Sequence, residues 1–115
     1  MSEQIIRNLF RVVDARDWNS MQAFFCEDVI YERPGYDAIV GFENLLHFYE
    51  HVRMIASGNH ELEHIVIDEE RGSCWGRFVG VNKEGMPLDE RFADVYLFEN
   101  GRIKQRCSYF FRPAV

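Results

Sequence analysis

Helix-like and strand-like patterns lie in separate parts of this chain. Before about residue 55 the apolar residues recur mainly at helical spacing, and after it four apolar segments are joined by short turns. The clearest turn contains Asn100-Gly101, a pair that is typical of tight hairpins. This separation predicts an α+β domain of order α-α-β-α-β-β-β-β, with helices on the concave side of a curved antiparallel sheet.

Each element has a predicted range. The third helix carries apolar side chains on nearly every side, so we expect it to pack against two layers. The predicted helices are 3–16, about 19–25 and 42–55, and the predicted strands are 29–33, 60–68, 73–82, 86–98 and 102–112.

Bulk composition limits the class of protein and its partners. The 115 residues predict one domain, 1–115, and a hydrophobic fraction of 47% supplies a core without disulfides or metal. A net charge of −6 argues against nucleic acid and anionic membranes as partners. No apolar run approaches the roughly 20 residues that a membrane span needs. Three cysteines without paired spacing are typical of reduced thiols, which predicts a cytoplasmic protein.

Asp94 is the most unusual residue of the strand 86–98. It shares a face with Phe92, Tyr96 and Phe98, and the opposite face of the strand is apolar as well. A carboxyl group that is buried there must find partners or hold a proton, because an unpaired buried charge is costly. The sequence therefore leaves two roles open for Asp94, a structural ion pair or a working acid.

Five stretches carry a resemblance to a known fold, namely 14–18, 25–29, 31–35, Gly41 with Phe48-Tyr49, and 93–103. Together they resemble the SnoaL-like and ketosteroid-isomerase-like branch of the nuclear-transport-factor-like superfamily, over nearly the whole chain. The resemblance implies a cone, in which the sheet wraps around the N-terminal helices and a small molecule binds inside without a cofactor. Because that superfamily includes isomerases, cyclases, dehydratases, epoxide hydrolases and non-catalytic binders, the chemistry stays open.

In such a cone, strand alternation sorts the side chains into an inner and an outer face. The outer face would carry Val95, Leu97, Tyr109 and Phe111, a larger apolar patch than a monomer usually exposes. Related proteins bury this face, so we expect a homodimer through it. The predicted inner residues are Val29, Tyr31, Arg33, Trp75, Arg77, Val79, Val81, Glu90, Phe92, Asp94, Arg106, Ser108 and Phe110, with Phe48 and Tyr49 from the third helix.

The resemblance implies roles at particular positions. Asp94 matches a carboxyl group that acts as hydrogen-bond donor, acid or base in ketosteroid-isomerase-like enzymes. The family's general base falls at Arg33, which cannot accept a proton, and its oxyanion tyrosine falls near Leu9. Steroid isomerisation is therefore not expected, and Ser108 at an aspartate position argues against the epoxide-hydrolase route. The candidate catalytic residues are Asp94, Tyr31 and Arg33.

Other inner residues are candidate ligand contacts. The arginines and carboxylates either neutralise one another or leave one arginine for an acidic group on the ligand. The aromatic residues are core or, if a void exists, contacts to the ligand. His60 and His64 share a predicted strand face, His51 and His64 are candidate proton carriers, and no histidine completes a metal-binding motif. The predicted binding set is Trp75, Arg77, Phe92, Glu90, Arg106, Ser108, Phe110, Phe48, Tyr49 and His51.

Three functions remain open at this point. The first is a cofactor-independent isomerase, cyclase or dehydratase that acts on a hydrophobic, oxygenated ligand. The second is a non-catalytic binder of small molecules, and the third is a protein-interaction module that uses the outer face. An open pocket around an unpaired Asp94 would favour the enzyme, whereas a plugged pocket with Asp94 bound to arginine would favour a scaffold.

Overall fold

The computed structural model describes residues 3–112, so residues 1–2 and 113–115 of the predicted domain lie outside the described part. The elements in chain order are α1 (Gln4–Asp14), a 3₁₀ helix (Trp18–Phe24), β1 (Phe25–Glu32), β2 (Ile39–Val40), α2 (Phe42–His47) with a π-helical turn (Phe48–Val52), β3 (Ile55–Asp68), β4 (Arg71–Asn82), β5 (Pro87–Glu99) and β6 (Arg102–Phe110). No helix between residues 3 and 112 has the length and apolarity to cross a membrane.

The six strands form one curved, unclosed sheet in the order β2-β1-β6-β5-β4-β3. The predicted α+β cone is confirmed. All neighbouring strands run antiparallel except β1 and β6, which run parallel. The long hairpins β3-β4-β5-β6 supply the wall, and β1 closes it on the side of α2.

Helix α1 packs on the inner wall because its apolar residues recur at helical spacing. Ile6, Leu9, Phe10 and Val13 are all buried. Complete burial of such side chains contributes about 1.5–3 kcal/mol each. This packing seals one side of the cone and brings Asp14, the last residue of α1, close to β3.

Two strands begin earlier than predicted. β1 begins at Phe25 rather than at residue 29, and β3 begins at Ile55 rather than at residue 60, so the third helix ends earlier. Ser57-Gly58-Asn59 has the composition of a helix end, yet it pairs with β4. A side chain at position 58 would collide with the Phe78 ring and the Val79 carbonyl, so glycine permits this close approach.

The facing of β4 also differs from the prediction. Cys74 lies opposite Asp94 and Phe78 lies opposite Glu90, and opposed residues in an antiparallel pair share a face. The inner residues of β4 are therefore Cys74, Gly76 and Phe78, all of them buried. The outer residues include Trp75, Arg77 and Val79, which were predicted to face inward. Both faces of β4 carry apolar residues, so alternation alone could not choose between them.

Candidate functional site

A small cavity lies inside the cone, between α1, α2 and the sheet. Its volume is about 20 Å³. That is room for about one water molecule. The lining residues are Phe10, Val13, Tyr31, Arg33, Tyr49, Arg53, Ile55, His60, Phe78, Glu90, Phe92, Asp94, Arg106, Ser108 and Phe110.

Asp94 is buried and fully engaged as a carboxylate. One oxygen, Oδ2, accepts hydrogen bonds from Arg106 Nε (3.1 Å), Arg106 Nη2 (2.9 Å) and Tyr96 Oη (2.9 Å). The other oxygen, Oδ1, accepts a hydrogen bond of 2.6 Å from Ser108 Oγ. Every proton in these contacts belongs to a partner, so Asp94 accepts hydrogen bonds and donates none.

Arg106 is the counter-charge of Asp94. Its side chain is only 5% exposed, and Nη1 donates a hydrogen bond of 2.8 Å to Tyr49 Oη. Burial acts to lower the pKa of Arg106, but Asp94 and the neighbouring tyrosine hydroxyls outweigh it and place the pKa well above its usual value. The pair is therefore a satisfied, structural part of the wall.

Tyr31 extends this network toward the rim. Its hydroxyl lies 2.8 Å from Ser108 Oγ, and Arg33 Nη1 donates to it at 3.3 Å. Since Ser108 uses its only hydrogen toward Asp94, Tyr31 must donate to Ser108. Burial raises the pKa of Tyr31, which keeps the phenol protonated.

Cys74 lies on the opposite side of Asp94. Burial raises the pKa of its thiol to about 12. Its Sγ atom lies 3.8 Å from Tyr96 Oη. Cys74 is a buried core residue, as predicted for most of the cysteines. A thiolate nucleophile is therefore not part of this wall.

His60 lines the cavity and is held by Asp14, which does not itself line the cavity. Asp14 Oδ1 lies 2.6 Å from His60 Nδ1, and Asp14 Oδ2 accepts a hydrogen bond of 2.8 Å from the His60 backbone N–H. Asp14 thereby fixes the imidazole and leaves Nε2 available. Burial lowers the pKa of His60, although the hydrogen bond that His60 donates to Asp14 opposes this, so the imidazole is neutral near pH 7.

His51 and His64 were the predicted proton carriers, but the histidine that lines the cavity is His60. A bulge between Leu62 and His64 shifts the alternation of β3, so that His60 faces inward while His64 is exposed beside Trp75. His51 is exposed, with its ring 5.1 Å from that of His47, and it does not line the cavity. The sequence offered one clue to His60, which is the first residue of the strand predicted after the third helix. Its position opposite the end of α1 is seen only in the structure.

Arg53 is the second lining residue that sequence reasoning missed. It follows the π-helical turn, four residues after Tyr49, and is 5% exposed. Its guanidinium lies 5.2 Å from the centre of the Tyr49 ring. Burial lowers the pKa of Arg53 to about 10. The sequence did offer a clue to Arg53, because it is an arginine within a predicted helix whose surface is almost wholly apolar.

The remaining predictions divide into two groups. Phe48 is buried behind the wall, 5.1 Å from the Arg33 guanidinium, and does not line the cavity. Trp75 and Arg77 lie on the outer face, where Arg77 pairs with Asp89, and both were predicted as inner contacts. The predicted residues that do line the cavity are Tyr31, Arg33, Tyr49, Glu90, Phe92, Asp94, Arg106, Ser108 and Phe110.

The outer face carries an apolar patch, as predicted. Val95, Tyr109 and Phe111 are 48%, 57% and 74% exposed, whereas Leu97 is half-buried. Trp75 adds to this patch and borders an open groove with Tyr109 and Phe111. Elsewhere in the described part of the chain, no three histidine, cysteine or carboxylate side chains come together as metal ligands.

Comparisons with known proteins agree with this architecture. A family model described as a SnoaL-like domain matches residues 6–106. No curated protein matches the sequence. Solved structures do match, and one is an NTF2-like protein of unknown function from Burkholderia pseudomallei, 23% identical, with a TM-score of 0.86 over 96% of this chain and 92% of that chain.

Two further structures have the same fold at lower identity. A protein with a ketosteroid isomerase-like fold from Catenulispora acidiphila, in complex with trimethylamine, is 13% identical, with a TM-score of 0.83 over 95% of this chain and 86% of that chain. An LEH-like epoxide hydrolase from M. tuberculosis is 15% identical, with a TM-score of 0.81 over 93% of this chain and 80% of that chain. At such identities the matches establish the fold alone.

Proposed function

Because the chain belongs to the SnoaL-like domain family, we propose that it is a cofactor-independent enzyme that performs acid/base chemistry inside the cone. The reaction class is isomerisation, cyclisation or dehydration of a small, hydrophobic, oxygenated molecule. The observation that carries the proposal is that His60, which lines the cavity, is paired with Asp14. A neutral imidazole with one nitrogen fixed by a carboxylate has its other nitrogen free to accept a proton.

The base in this proposal is His60, and Asp94 has a supporting role. Both oxygens of Asp94 already accept hydrogen bonds, and Arg106 balances its charge. Asp94 therefore positions Ser108 and Arg106, and through Ser108 it orients the Tyr31 hydroxyl. Arg33, which lines the cavity and donates to the Tyr31 hydroxyl, is the group that would stabilise negative charge developing on a ligand oxygen.

Access to the base requires side chains to move, because the cavity holds about one water. Phe110 is half-buried and lines both the cavity and the open groove on the outer face. Displacement of this ring would connect the two spaces. The ligand would then enter past the end of β6, beside Arg33 and Glu90.

Proton exchange tests the proposal without knowledge of the natural substrate. The protein is incubated in D₂O with small ketones, including 4-oxopentanoate and its methyl ester, and exchange beside the carbonyl is followed by NMR. A positioned general base contributes roughly 10²–10⁴-fold, so His60→Gln should lower the protein-dependent exchange by about 100-fold or more.

The matched control is His64→Gln, which alters an exposed histidine of the same strand. This variant should exchange protons like the wild type. Equal exchange in His60→Gln and wild type would rule out His60 as the base. No protein-dependent exchange with any ketone would reject the enzyme in favour of the second candidate.

The second candidate is a non-catalytic binding protein of the same fold. The observation that favours it is the engagement of Asp94 by four hydrogen bonds beside a nearly filled cavity. It requires the cone to take up a ligand without exchanging its protons. Calorimetric titration with small carboxylates would detect such binding directly.

For the outer face we propose a homodimer, supported by the exposed apolar side chains of Val95, Tyr109 and Phe111. Light scattering on the dilute protein should give twice the mass of one chain. Tyr109→Glu, which places a charge in the patch, should give a monomer with unchanged circular dichroism. A wild-type monomer would contradict the dimer and leave this face to the third function, a heteromeric partner.

A further inference from the structure

We infer that Arg53 is the anion-binding group of the cone and that the ligand is a compact organic molecule with one carboxylate. The inference deepens the proposed function, since it names the class of ligand for the same cavity. It rests on that function only in placing the ligand inside the cone.

Arg53 is a buried cation without a counter-charge. Its exposure is 5%, and its Nε atom is buried without a hydrogen-bond partner. Among residues 3–112, no carboxylate lies within ion-pair distance of it. The face of the Tyr49 ring, 5.2 Å away, is the contact that its charge makes.

This arrangement is costly for a protein to hold. A guanidinium that leaves water loses its hydration, and a single aromatic face returns only part of that loss. The other charged pairs near the cavity show how the cost is normally offset. Arg106 is bound by Asp94, and Glu90 is bound by Arg112 at 2.8 Å. Arg53 is left as a preformed site for a negative charge from outside the chain.

The charge and shape of the site select a monocarboxylate. Arg53 contributes one positive charge without a described counter-ion, so one negative charge neutralises it, whereas a phosphate dianion would leave an excess. A planar carboxylate also matches the two parallel N–H groups of a guanidinium fork. The adjoining wall is apolar, with Ile55 and Phe78 beside the same space.

The site also lies near the proposed base. Arg53 and His60 line the same cavity, and the charge of Arg53 is among the influences on the imidazole. A carboxylate on Arg53 would therefore anchor the ligand close to His60. The molecule must be short, because Tyr49, Phe78 and Phe92 close the cavity around these two groups.

The test compares matched anionic and neutral probes. Benzoate and its neutral counterpart benzamide, and acetate and acetamide, are titrated into the protein by calorimetry and thermal melting. A ligand that binds only the folded state raises Tm with concentration. Wild-type protein should bind at least one carboxylate at least tenfold more tightly than its amide.

Arg53→Met keeps a long apolar side chain and removes the charge. It should weaken carboxylate binding at least tenfold, abolish the preference over the amide, and raise the Tm of the ligand-free protein. Arg53→Lys keeps the charge without the fork and should retain weakened binding. Arg77→Met, which removes an exposed arginine of the outer face, should bind the carboxylate like the wild type.

Two results would overturn the inference. One is a wild type that shows no preference for carboxylate over amide in either probe pair. The other is a ligand-free Arg53→Met protein that melts several degrees lower or fails to fold, which would make Arg53 a structural residue. The readout is independent of proton exchange, so an inactive protein that binds carboxylates contradicts the enzyme and supports the anion site.

Discussion

Arg106 and Arg53 line the same cavity and are equally buried, yet their surroundings are opposite. Arg106 has a carboxylate, a tyrosine hydroxyl and three aromatic rings around it. Arg53 has the face of Tyr49 and a nitrogen without a partner. A satisfied buried charge maintains the wall, whereas an unsatisfied one is a cost that a ligand can remove. This difference is the reason that we assign Arg106 to the wall and propose Arg53 as the residue that binds a ligand.

The largest expected effect comes from making Arg106 resemble Arg53. Asp94→Asn removes the counter-charge and leaves the Arg106 guanidinium buried and unpaired. Breaking a buried pair in this way costs about 3–5 kcal/mol. Urea denaturation followed by tryptophan fluorescence should show that loss in the free energy of unfolding.

The double variant Asp94→Asn with Arg106→Met sharpens this result. It removes both charges, so it should be more stable than Asp94→Asn alone, because no uncompensated charge remains. Asp89→Asn, on the exposed outer face, should leave the urea midpoint nearly unchanged. An Asp94→Asn protein as stable as the wild type would show that Asp94 does not hold Arg106, and the comparison would fail.

A smaller effect on stability is expected from His60, whose imidazole is influenced by the charges of both Arg53 and Arg106. Burial lowers its folded pKa below the usual 6.5, against the influence of Asp14, while Arg53 and Arg106 add to the lowering. Between the folded pKa and about 6.5 the unfolded chain binds more protons than the folded one. Stability should therefore be complete above pH 6.5 and fall as the pH drops through this window.

His60→Gln should flatten that dependence when the free energy of unfolding is measured at several pH values. The slope should remain in His64→Gln, in which an exposed histidine is changed. An unchanged slope in His60→Gln would place the titration elsewhere and remove one support for a neutral base. The same variants serve in the proton-exchange experiment, so stability and activity are compared in identical proteins.

Local sequence patterns were sufficient for much of the fold. Helical spacing located α1, and the turns at 83–85 and 99–101 located the hairpins. The facing of β5 and β6 was also correct, because Asp94, Arg106 and Ser108 all line the cavity. From Glu90 to Asp94 and from Arg106 to Phe110 the alternation is unbroken, so the period of two assigned the inner side chains correctly.

The alternation of side chains could not predict the facing of β4 or of the second half of β3. On β4 both faces are apolar, so pairing of Cys74 with Asp94 decided the facing of Trp75 and Arg77. On β3 the bulge near Leu62 separated His60 from His64, although the period of two places them on one face. In both strands the predicted register was wrong by one residue, which places a side chain on the opposite face of the sheet.

The sequence by itself determined the class of fold, the curved sheet around N-terminal helices, and the burial of Asp94 in an apolar strand, because these depend on local periodicity and composition. Tertiary structure alone decided how the charges pair. Asp94 and Arg106 form a pair across adjacent strands, and Asp14 and His60 form a pair between a helix and a strand. Arg53 is paired with neither Asp94 nor Asp14. Ion pairing depends on distances of a few ångströms between residues far apart in sequence, and only the folded chain fixes those distances.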